Sequence, residues 1–362
     1  MPPVRETTPD TVPAPVPCPA TTRPGLLRGL WPGLALAGGV AALALALRTL
    51  PGVAVLSPMI LAIVIGIAVR NLVGTPAAAQ PGLGFAMRRV LRFAIVLLGL
   101  QLTAADIVEL GWSSAAVLVA TLTATFLFTE WLGRRLGVEP GLARLVAAGT
   151  SICGASAVVA ANTATRASDE DVAYAVACVT LFGSLAMVLY PLLPELLHLG
   201  PRAYGLWAGA SIHEIAQVVA AAFQAGGEAG HVGTIAKLSR VMMLAPVVLL
   251  LGVWTTRAAA ASGRAEQGAT EQGGARARPP VPWFVFGFLA LCGLNSVIAV
   301  DPDVRGWIVL ATTVLLTVAL AAMGLETDIR KLAAKGLRPL LLGAAATAFI
   351  AVFSLGLVEI LG

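Results

Sequence analysis

The stretch 209–221, "GASIHEIAQVVAA", decides how this chain must fold. It lies inside an apolar segment long enough to cross a membrane, yet it carries His213, Glu214 and Gln217. Ionisable side chains cost free energy inside a bilayer, so they normally face the interior of a helix bundle and mark a pathway or a proton relay. The stretch therefore predicts an intramembrane functional centre surrounded by apolar helices.

The composition of the rest of the chain agrees with a membrane protein. Of the 362 residues, 58% are hydrophobic and only 12% are charged, with a mean hydropathy of +0.87. A soluble domain is about half apolar and about a quarter charged. Apolar runs of about 18 residues or more recur along the chain, and they are continuous rather than alternating, which disfavours a β-barrel. We predict an all-α, polytopic membrane protein with inverted repeats and broken helices.

The apolar runs predict about eleven transmembrane helices in one transporter domain. The predicted spans are 28–48, 53–73, 82–103, 112–132, 143–163, 171–194, 204–225, 233–254, 282–300, 306–325 and 337–360. The Pro- and Thr-rich residues 1–25 are predicted to be a disordered tail. Residues 26–256 would hold helices 1–8, the polar stretch 257–281 a cytoplasmic linker, and 282–362 helices 9–11.

The basic residues predict the orientation. With the N-terminus inside, 19 of the 24 Lys and Arg residues fall in inside segments and only Arg48, Arg166 and Arg305 fall outside. This asymmetry predicts a cytoplasmic N-terminus, a periplasmic C-terminus and a multi-pass protein of the bacterial inner (plasma) membrane. The net charge of +5 is therefore interpreted as positive-inside bias, and no nucleic-acid partner is expected. The four cysteines have no spacing typical of a zinc site or a disulfide framework, so no metal and no cofactor are expected.

Two internal similarities suggest repeats. Segment 91–111 aligns without gaps on 316–336 with five identities, in spans predicted to run in opposite directions, as in the inverted repeats of secondary transporters. Segment 148–161, "AGTSICGASAVVAA", matches 208–221, "AGASIHEIAQVVAA", at eight of fourteen positions. The second pair would run parallel if both segments crossed fully. Each is also a candidate for a broken or re-entrant helix, which would change the local topology.

The glycines and hydroxyl residues of 149–156, "GTSICGAS", predict an interrupted helix. Such a break exposes backbone N–H groups at a half-helix N-terminus, and these attract anions, so half-helix N-termini are expected near Ser151 and Ser211. A packing face of small residues is the alternative. The predicted substrate-binding residues are Thr150, Ser151, Ser156, Asn162, Ser211, Lys237 and Arg240.

His213, Glu214 and Gln217 are the predicted ion-coupling residues, because helical spacing places Gln217 on one face with each of the other two. The alternative is a purely structural hydrogen-bond cluster. "HEIAQ" lacks the second histidine of the H-E-x-x-H zinc motif, which excludes that class of protease. Lys237 and Arg240 share a helix face and would form an anion site or pair with Glu214. The alternative interpretation of these two residues is that their side chains snorkel to the membrane interface.

Four motifs occur here in the order and spacing of a known family. They are "SPMILAIVIGIAVRN" (57–71), "GTSICGASAVVAA" (149–161), "ASIHEIAQVVAA" (210–221) and "AKLSRVMMLAPVVL" (236–249). They resemble the YeiH family of bacterial inner-membrane proteins, which are often described as sulfate exporters, and the likeness runs from about residue 30 to the C-terminus. The segment 323–343 also resembles the wider superfamily of bile-acid/sodium symporters and cation/proton antiporters. That resemblance implies two inverted repeats and crossing broken helices.

The expected function is secondary transport, as an exporter, of a small anion such as sulfate or an organosulfonate. Coupling to H⁺ or Na⁺ is expected, since no G-x-x-x-x-G-K-[ST] motif points to a nucleotide-driven pump. A cation/proton antiporter using Glu214 and a passive anion channel are the alternatives, and homo-oligomerisation is left open. No enzyme is expected: a hydrolase using Ser151 or Ser156 with His213 is disfavoured, because Gly-x-Ser-x-Gly is absent.

Overall fold

The computed structural model describes residues 26–50, 56–244, 246–248, 250–252, 283–298, 301–330 and 336–361. Every regular element within these ranges is a helix. The predicted tail, 1–25, and the predicted linker, 257–281, lie outside the described residues.

The helices follow the apolar runs of the sequence. They are α1 Leu26–Leu47, α2 Pro58–Leu72, α3 Gln80–Phe85, α4 Leu91–Leu98, α5 Ala104–Glu109, α6 Gly111–Leu136, α7 Pro140–Ala148, α8 Ala155–Thr165, α9 Asp169–Leu189, α10 Pro201–Ser211, α11 Ile215–Gln224, α12 Gly227–Met242, α13 Trp283–Val297, α14 Pro302–Glu326 and α15 Leu337–Leu361. A π-helical turn, Ala86–Val90, joins α3 to α4, and another, Gly149–Cys153, extends α7.

Six of these segments are long and apolar enough to cross a membrane. They are Gly29–Leu47, Gly111–Leu136, Asp169–Leu192, Gly227–Gly252, Asp303–Glu326 and Leu337–Leu361. Shorter apolar helices, α2, α11 and α13, lie beside them. Because these helices recur along the whole chain, the protein is a polytopic, all-α membrane protein.

The segment predicted as the fifth span is a re-entrant hairpin, hairpin 1, formed by α7 and α8. A Cβ placed on Gly141 would lie 3.2 Å from the Cβ of Ala167. In one straight helix these two residues would be about 39 Å apart. Hairpin 1 therefore enters and leaves the membrane at one face, face A, which also holds the end of α6 at Leu136.

The segment predicted as the seventh span is also a hairpin, hairpin 2, formed by α10 and α11. The Tyr204 hydroxyl donates to the Ala221 carbonyl at 3.2 Å, which a straight helix would not allow. The backbone of Gly205 packs on Ala229, so α10 runs parallel to α12, whereas α11 returns antiparallel to it. Because α9 crosses from face A, hairpin 2 opens at the opposite face, face B.

The prediction of eleven crossing helices is therefore wrong at 143–163 and 204–225. A continuous apolar run has the same hydropathy whether the helix continues straight or folds back at its middle, so hydropathy cannot distinguish the two. The distribution of basic residues cannot distinguish them either. The hairpins place Arg166 at face A and Arg202 at face B, the reverse of the sides predicted for them. One basic residue therefore moves in each direction, and the 19-to-3 division is unchanged.

The two hairpins explain the similarity between the stretches that contain their tips. The similar segments run as an inverted pair, because hairpin 1 enters from face A and hairpin 2 from face B. Each hairpin is followed by a crossing helix, α9 in one case and α12 in the other. The second internal similarity, for which parallel spans offered no symmetry, is thus an inverted repeat.

The other predicted repeat pairs α4 with α14, and these helices also run in opposite directions. Leu102 and Thr327, which the alignment equates, follow the two helices. The Asn295 amide of α13 donates to the Leu102 carbonyl at 2.9 Å, and the Asn71 amide of α2 donates to the Thr327 carbonyl at 3.0 Å. The two helix ends are thus each closed by an asparagine, one at each face of the membrane.

The helices pack in two groups. One group contains α1, α2, α3, α4, α13 and α14. The other contains α6, both hairpins, α9, α12 and α15. The hairpin tips lie inside the second group, and α11 also touches α2 and α14 of the first group.

Cysteine labelling tests the two hairpins. In a Cys18→Ser background, Glu139→Cys and Arg166→Cys should react with a membrane-impermeant maleimide from the same face. Arg202→Cys and Glu228→Cys should both react from the opposite face. All four positions are exposed, and the other three native cysteines are buried. Reaction of Glu139→Cys and Arg166→Cys from different faces would restore a crossing helix and contradict hairpin 1.

Candidate functional site

The tips of the two hairpins meet in the interior of the second helix group. Gly154 forms the tip of hairpin 1 with φ 72° and ψ −135°, a backbone conformation that favours glycine. A Cβ at Gly154 would lie 2.4 Å from Cγ of Glu214, which belongs to the tip of hairpin 2. Glycine is therefore required here both by the turn and by the close approach of the second hairpin.

The tip of hairpin 2 is a short extended segment, Ile212–Glu214. Ile212 has φ −63° and ψ 142°, and Glu214 has φ −109° and ψ 148°, so the helix stops after Ser211. α11 then begins with a reciprocal capping box between Glu214 and Gln217, in which the Gln217 amide oxygen accepts from the Glu214 backbone N–H at 3.0 Å.

Both breaks fall after the Gly-x-Ser stretch. Ser151 donates to Ala147 O and Ser211 donates to Trp207 O, each at 2.6 Å, in equivalent bonds within the helix. Half-helix N-termini are expected near Ser151 and Ser211, and the structure has them at Ala155 and Ile215, after the break. The two serines themselves lie in the last turn of the incoming helices. Each hydroxyl bonds back to the carbonyl four residues earlier, a bond that often bends a helix, and the helix break follows it.

Lys237 and Arg240 of α12 close the carbonyl ends of both incoming helices. Both side chains are fully buried. Lys237 Nζ donates to Ile152 O at 2.9 Å and Ile212 O at 2.8 Å; Arg240 donates to Gly209 O at 3.1 Å, Ala210 O at 2.6 Å, Thr150 O at 3.1 Å and Ser151 O at 2.5 Å. Lys237 thus contacts the two hairpins at equivalent positions of the repeat, and Arg240 contacts two adjacent carbonyls of each hairpin.

This arrangement suits the partial negative charge that helix carbonyl ends carry. It also excludes the snorkelling alternative, because neither side chain reaches the membrane interface. The Nζ of Lys237 and the two terminal nitrogens of Arg240 face protein carbonyls, whereas the buried Nε of Arg240 has no hydrogen-bond partner among the described residues. The two cations therefore support the backbone of the site and give it a positive charge.

Glu214 lies at the opposite ends of the half-helices. Its carboxylate accepts from the Thr180 hydroxyl of α9 at 3.1 Å and from the backbone N–H of Ala155, the first residue of α8. The same residue caps α11. A carboxylate therefore faces the two helix N-termini while two cations face the two C-termini, which is the favourable arrangement for every one of the four helix ends.

His213 points away from the carboxylate towards α15. Its Nε2 lies 3.2 Å from the Thr347 hydroxyl, which itself donates to Gly343 O. The hydroxyl oxygen can therefore accept a hydrogen bond from the Nε2–H of the ring, and in this tautomer Nδ1 is an acceptor. Nδ1 is buried, and no described residue offers it a hydrogen bond. His213 is thus the second titratable group at the tips.

Gln217 joins the tip to neighbouring helices. Its amide nitrogen donates to Thr180 O and to the Ser184 hydroxyl, each at 3.2 Å, and lies 3.7 Å from the sulfur of Met323 in α14. These contacts support a structural hydrogen-bonding role for Gln217, which was the alternative to ion coupling. Gln217 also lies beside Glu214.

The remaining predicted residues are more scattered. Ser156 is exposed on α8, two residues after the tip, whereas Thr150 is buried and its hydroxyl has no partner. Asn162 lies at the face A end of α8, where its side chain accepts from the backbone N–H of Ala167 at 2.8 Å. The structure therefore brings together all the predicted site residues except Asn162.

Sequence reasoning missed Thr180 and Thr347. Thr180 could have been predicted from the repeat, because the repeat places it at the position of Arg240. The helix after each hairpin therefore contributes a hydrogen-bond donor to the tips. Thr347 lies on a helix with no repeat partner in the hairpins. Among the described residues, no cluster of three or more His, Cys, Asp or Glu side chains is placed to hold a metal ion.

Fold and site together define a polytopic α-helical membrane protein with two opposed re-entrant hairpins that meet at a buried, charged centre. The family model described as Conserved hypothetical protein 698 matches residues 32–343, and the chain belongs to that family. This agrees with the resemblance to YeiH proteins.

Relatives cover nearly the whole chain. A UPF0324 membrane protein of Corynebacterium glutamicum is 38% identical over 329 residues, which are 91% of this chain and 92% of the relative. A UPF0324 membrane protein of Pseudomonas putida is 39% identical over 82% of this chain and 84% of its own length. One from Pseudomonas aeruginosa is 39% identical over 89% and 92%. No solved structure matches the chain.

Removing Arg240 should unfold the centre. Arg240→Met leaves four buried carbonyl oxygens without their donor, so we expect a fall in Tm of about 6–12 °C in detergent. Arg240→Lys keeps the charge but cannot span both hairpins, so it should restore only part of the loss. Arg48→Met, at an exposed position after α1, is the control. Equal Tm values for Arg240→Met and Arg48→Met would show that the carbonyls do not need this guanidinium.

Proposed function

We propose that this protein is a secondary transporter of a small oxyanion, such as sulfate or an organosulfonate, in the bacterial inner membrane. It would act as an exporter without enzymatic activity, with a cytoplasmic N-terminus and a periplasmic C-terminus. The observation that carries the proposal is the meeting of two re-entrant hairpins from opposite faces at one charged centre.

Two opposed hairpins suit alternating access. A site between their tips can open to face A or to face B when one hairpin or its helix group shifts while the other still closes the site. Non-crossing helix segments that meet near the middle of the membrane, related by inverted repeats, are characteristic of secondary transporters. Buried charges are costly in a bilayer, and where they occur they usually mark the pathway of a substrate or an ion.

The charge of the centre favours an anion. Lys237 and Arg240 together outnumber Glu214 by one positive charge, in surroundings where water provides little screening. The N-termini of α8 and α11 add partial positive charge at the tips. Ser156 lies on the exposed side of this tip and supplies a hydroxyl donor.

A cation/proton antiporter is the second candidate, because Glu214 is an intramembrane carboxylate. A cation bound at Glu214 would have to face Lys237 across the tip, which disfavours it relative to an anion. Within the anion proposal Glu214 and His213 are the candidates for coupling to H⁺ or Na⁺.

Transport by the full chain in proteoliposomes tests the proposal. Labelled sulfate flux should saturate with concentration and should rise with a pH gradient across the membrane. Glu214→Gln should remove the dependence on the gradient, because it removes the titratable carboxyl. Glu139→Gln, which changes an exposed carboxylate at face A, should behave as the unmodified protein.

The alternatives give different results in the same vesicles. H⁺ or Na⁺ movement without flux of any oxyanion would replace the proposal by the antiporter. Flux that grows linearly with concentration and ignores the pH gradient would indicate a passive channel.

A further inference from the structure

The Glu214 carboxylate occupies an arrangement that an external oxyanion could use. It accepts from the Thr180 hydroxyl at 3.1 Å and from the Ala155 backbone N–H, and it lies over the first turn of α11. These donors come from three separate elements: α9, hairpin 1 and hairpin 2. Such convergent donors are how proteins hold carboxylate, sulfate and phosphate groups.

The carboxylate is also the most accessible charged group at the tips. Glu214 is 8% exposed, whereas Lys237 and Arg240 are 0% exposed. Ser156, on the exposed face of α8, follows Ala155 directly. The Glu214 carboxylate is therefore more open to a solute than either cation.

We infer that the Glu214 side chain is a tethered substitute for the transported oxyanion, and that the two compete for the same donors. The inference rests on the proposed function, which supplies the oxyanion. A proton from the aqueous phase adds to one carboxylate oxygen, and the neutral carboxyl releases the Ala155 N–H and the Thr180 hydroxyl. The oxyanion then accepts from both.

Charge balance selects the class of oxyanion. With Glu214 protonated, the two cations carry two positive charges, and a divalent oxyanion such as sulfate makes the centre neutral. With Glu214 ionised, the same oxyanion would leave one excess negative charge beside another anion, which is strongly unfavourable in a poorly screened site. One proton should therefore enter with each divalent oxyanion.

The described helices present few other titratable groups to Glu214. α12 presents Lys237 and Arg240, hairpin 1 presents Cys153, and His213 precedes Glu214 on its own tip. α9 presents the neutral Thr180. His213 is the competing proton acceptor, because its Nδ1 has no partner.

Binding experiments on the purified full chain separate these groups. Sulfate should bind the unmodified protein about a hundredfold more tightly at about pH 6 than at about pH 8, because uptake of about one proton per sulfate changes the binding constant about tenfold per pH unit. The proton uptake is measured from the buffer dependence of the binding enthalpy. Glu214→Gln imitates the protonated carboxyl, so it should bind sulfate at both pH values with the high affinity and without proton uptake. His213→Gln should retain the proton uptake.

Thr180→Val tests the shared donors. It should weaken sulfate binding by about tenfold in both the Glu214 and the Glu214→Gln proteins, because the hydroxyl serves either anion. Thr121→Val is the matched control: this buried threonine of α6 has a hydroxyl without a partner, so its loss should not change binding.

The outcomes distinguish the inference from the proposed function. Sulfate binding without proton uptake, or a folded Glu214→Gln protein that does not gain affinity at about pH 8, would overturn the competition while leaving transport intact. If no oxyanion binds the unmodified protein or Glu214→Gln at either pH, the proposed function fails as well. The proton count on the unmodified protein stays decisive even if a variant does not fold.

Discussion

Helices that end in the middle of a membrane leave carbonyl oxygens that no water can satisfy, and the structure depends on how this problem is solved. Each unsatisfied polar group in such surroundings costs several kcal/mol. Here six carbonyl oxygens from two hairpins converge on Lys237 and Arg240. One helix, α12, thereby closes both interrupted helices, and the tips can meet only because these two side chains lie between them.

The pseudo-symmetry of the hairpins is broken at the positions that carry charge. Equivalent serines, Ser151 and Ser211, keep equivalent bonds within their helices. In contrast, Gly154 and Glu214 are equivalent in the repeat, and the carboxylate of the second fits only because the first has no side chain. The backbone of the repeat is thus shared, while the buried charges belong to hairpin 2 and to the helix that follows it.

Much of the fold could be predicted from the sequence, because apolar runs and basic loops report directly on membrane burial. The hairpins could not be predicted, since the hydropathy of the run is the same whether or not the chain reverses at Gly154. The charge asymmetry does not change either, because Arg166 and Arg202 change sides of the membrane in opposite directions. The tip residues were identifiable as costly polar groups in apolar surroundings. Their roles were not identifiable from the sequence. Lys237 points towards the carbonyl ends of the interrupted helices, and the position of those ends is determined only when the hairpins fold.

The two hairpins differ in how firmly they are held, and this gives the centre an open side. Both helices of hairpin 2 are buried along nearly their whole length, with Gly205 and Gly209 packed against the backbone of α12. Hairpin 1 is buried along α7, but α8 exposes Ser156 and Val159 on one face. Because Ala155, at the start of that exposed helix, binds the Glu214 carboxylate, the contact that joins the hairpins lies at the edge of the more open one. The carboxylate therefore lies where the centre is accessible, and the two cations lie where the backbone must stay closed.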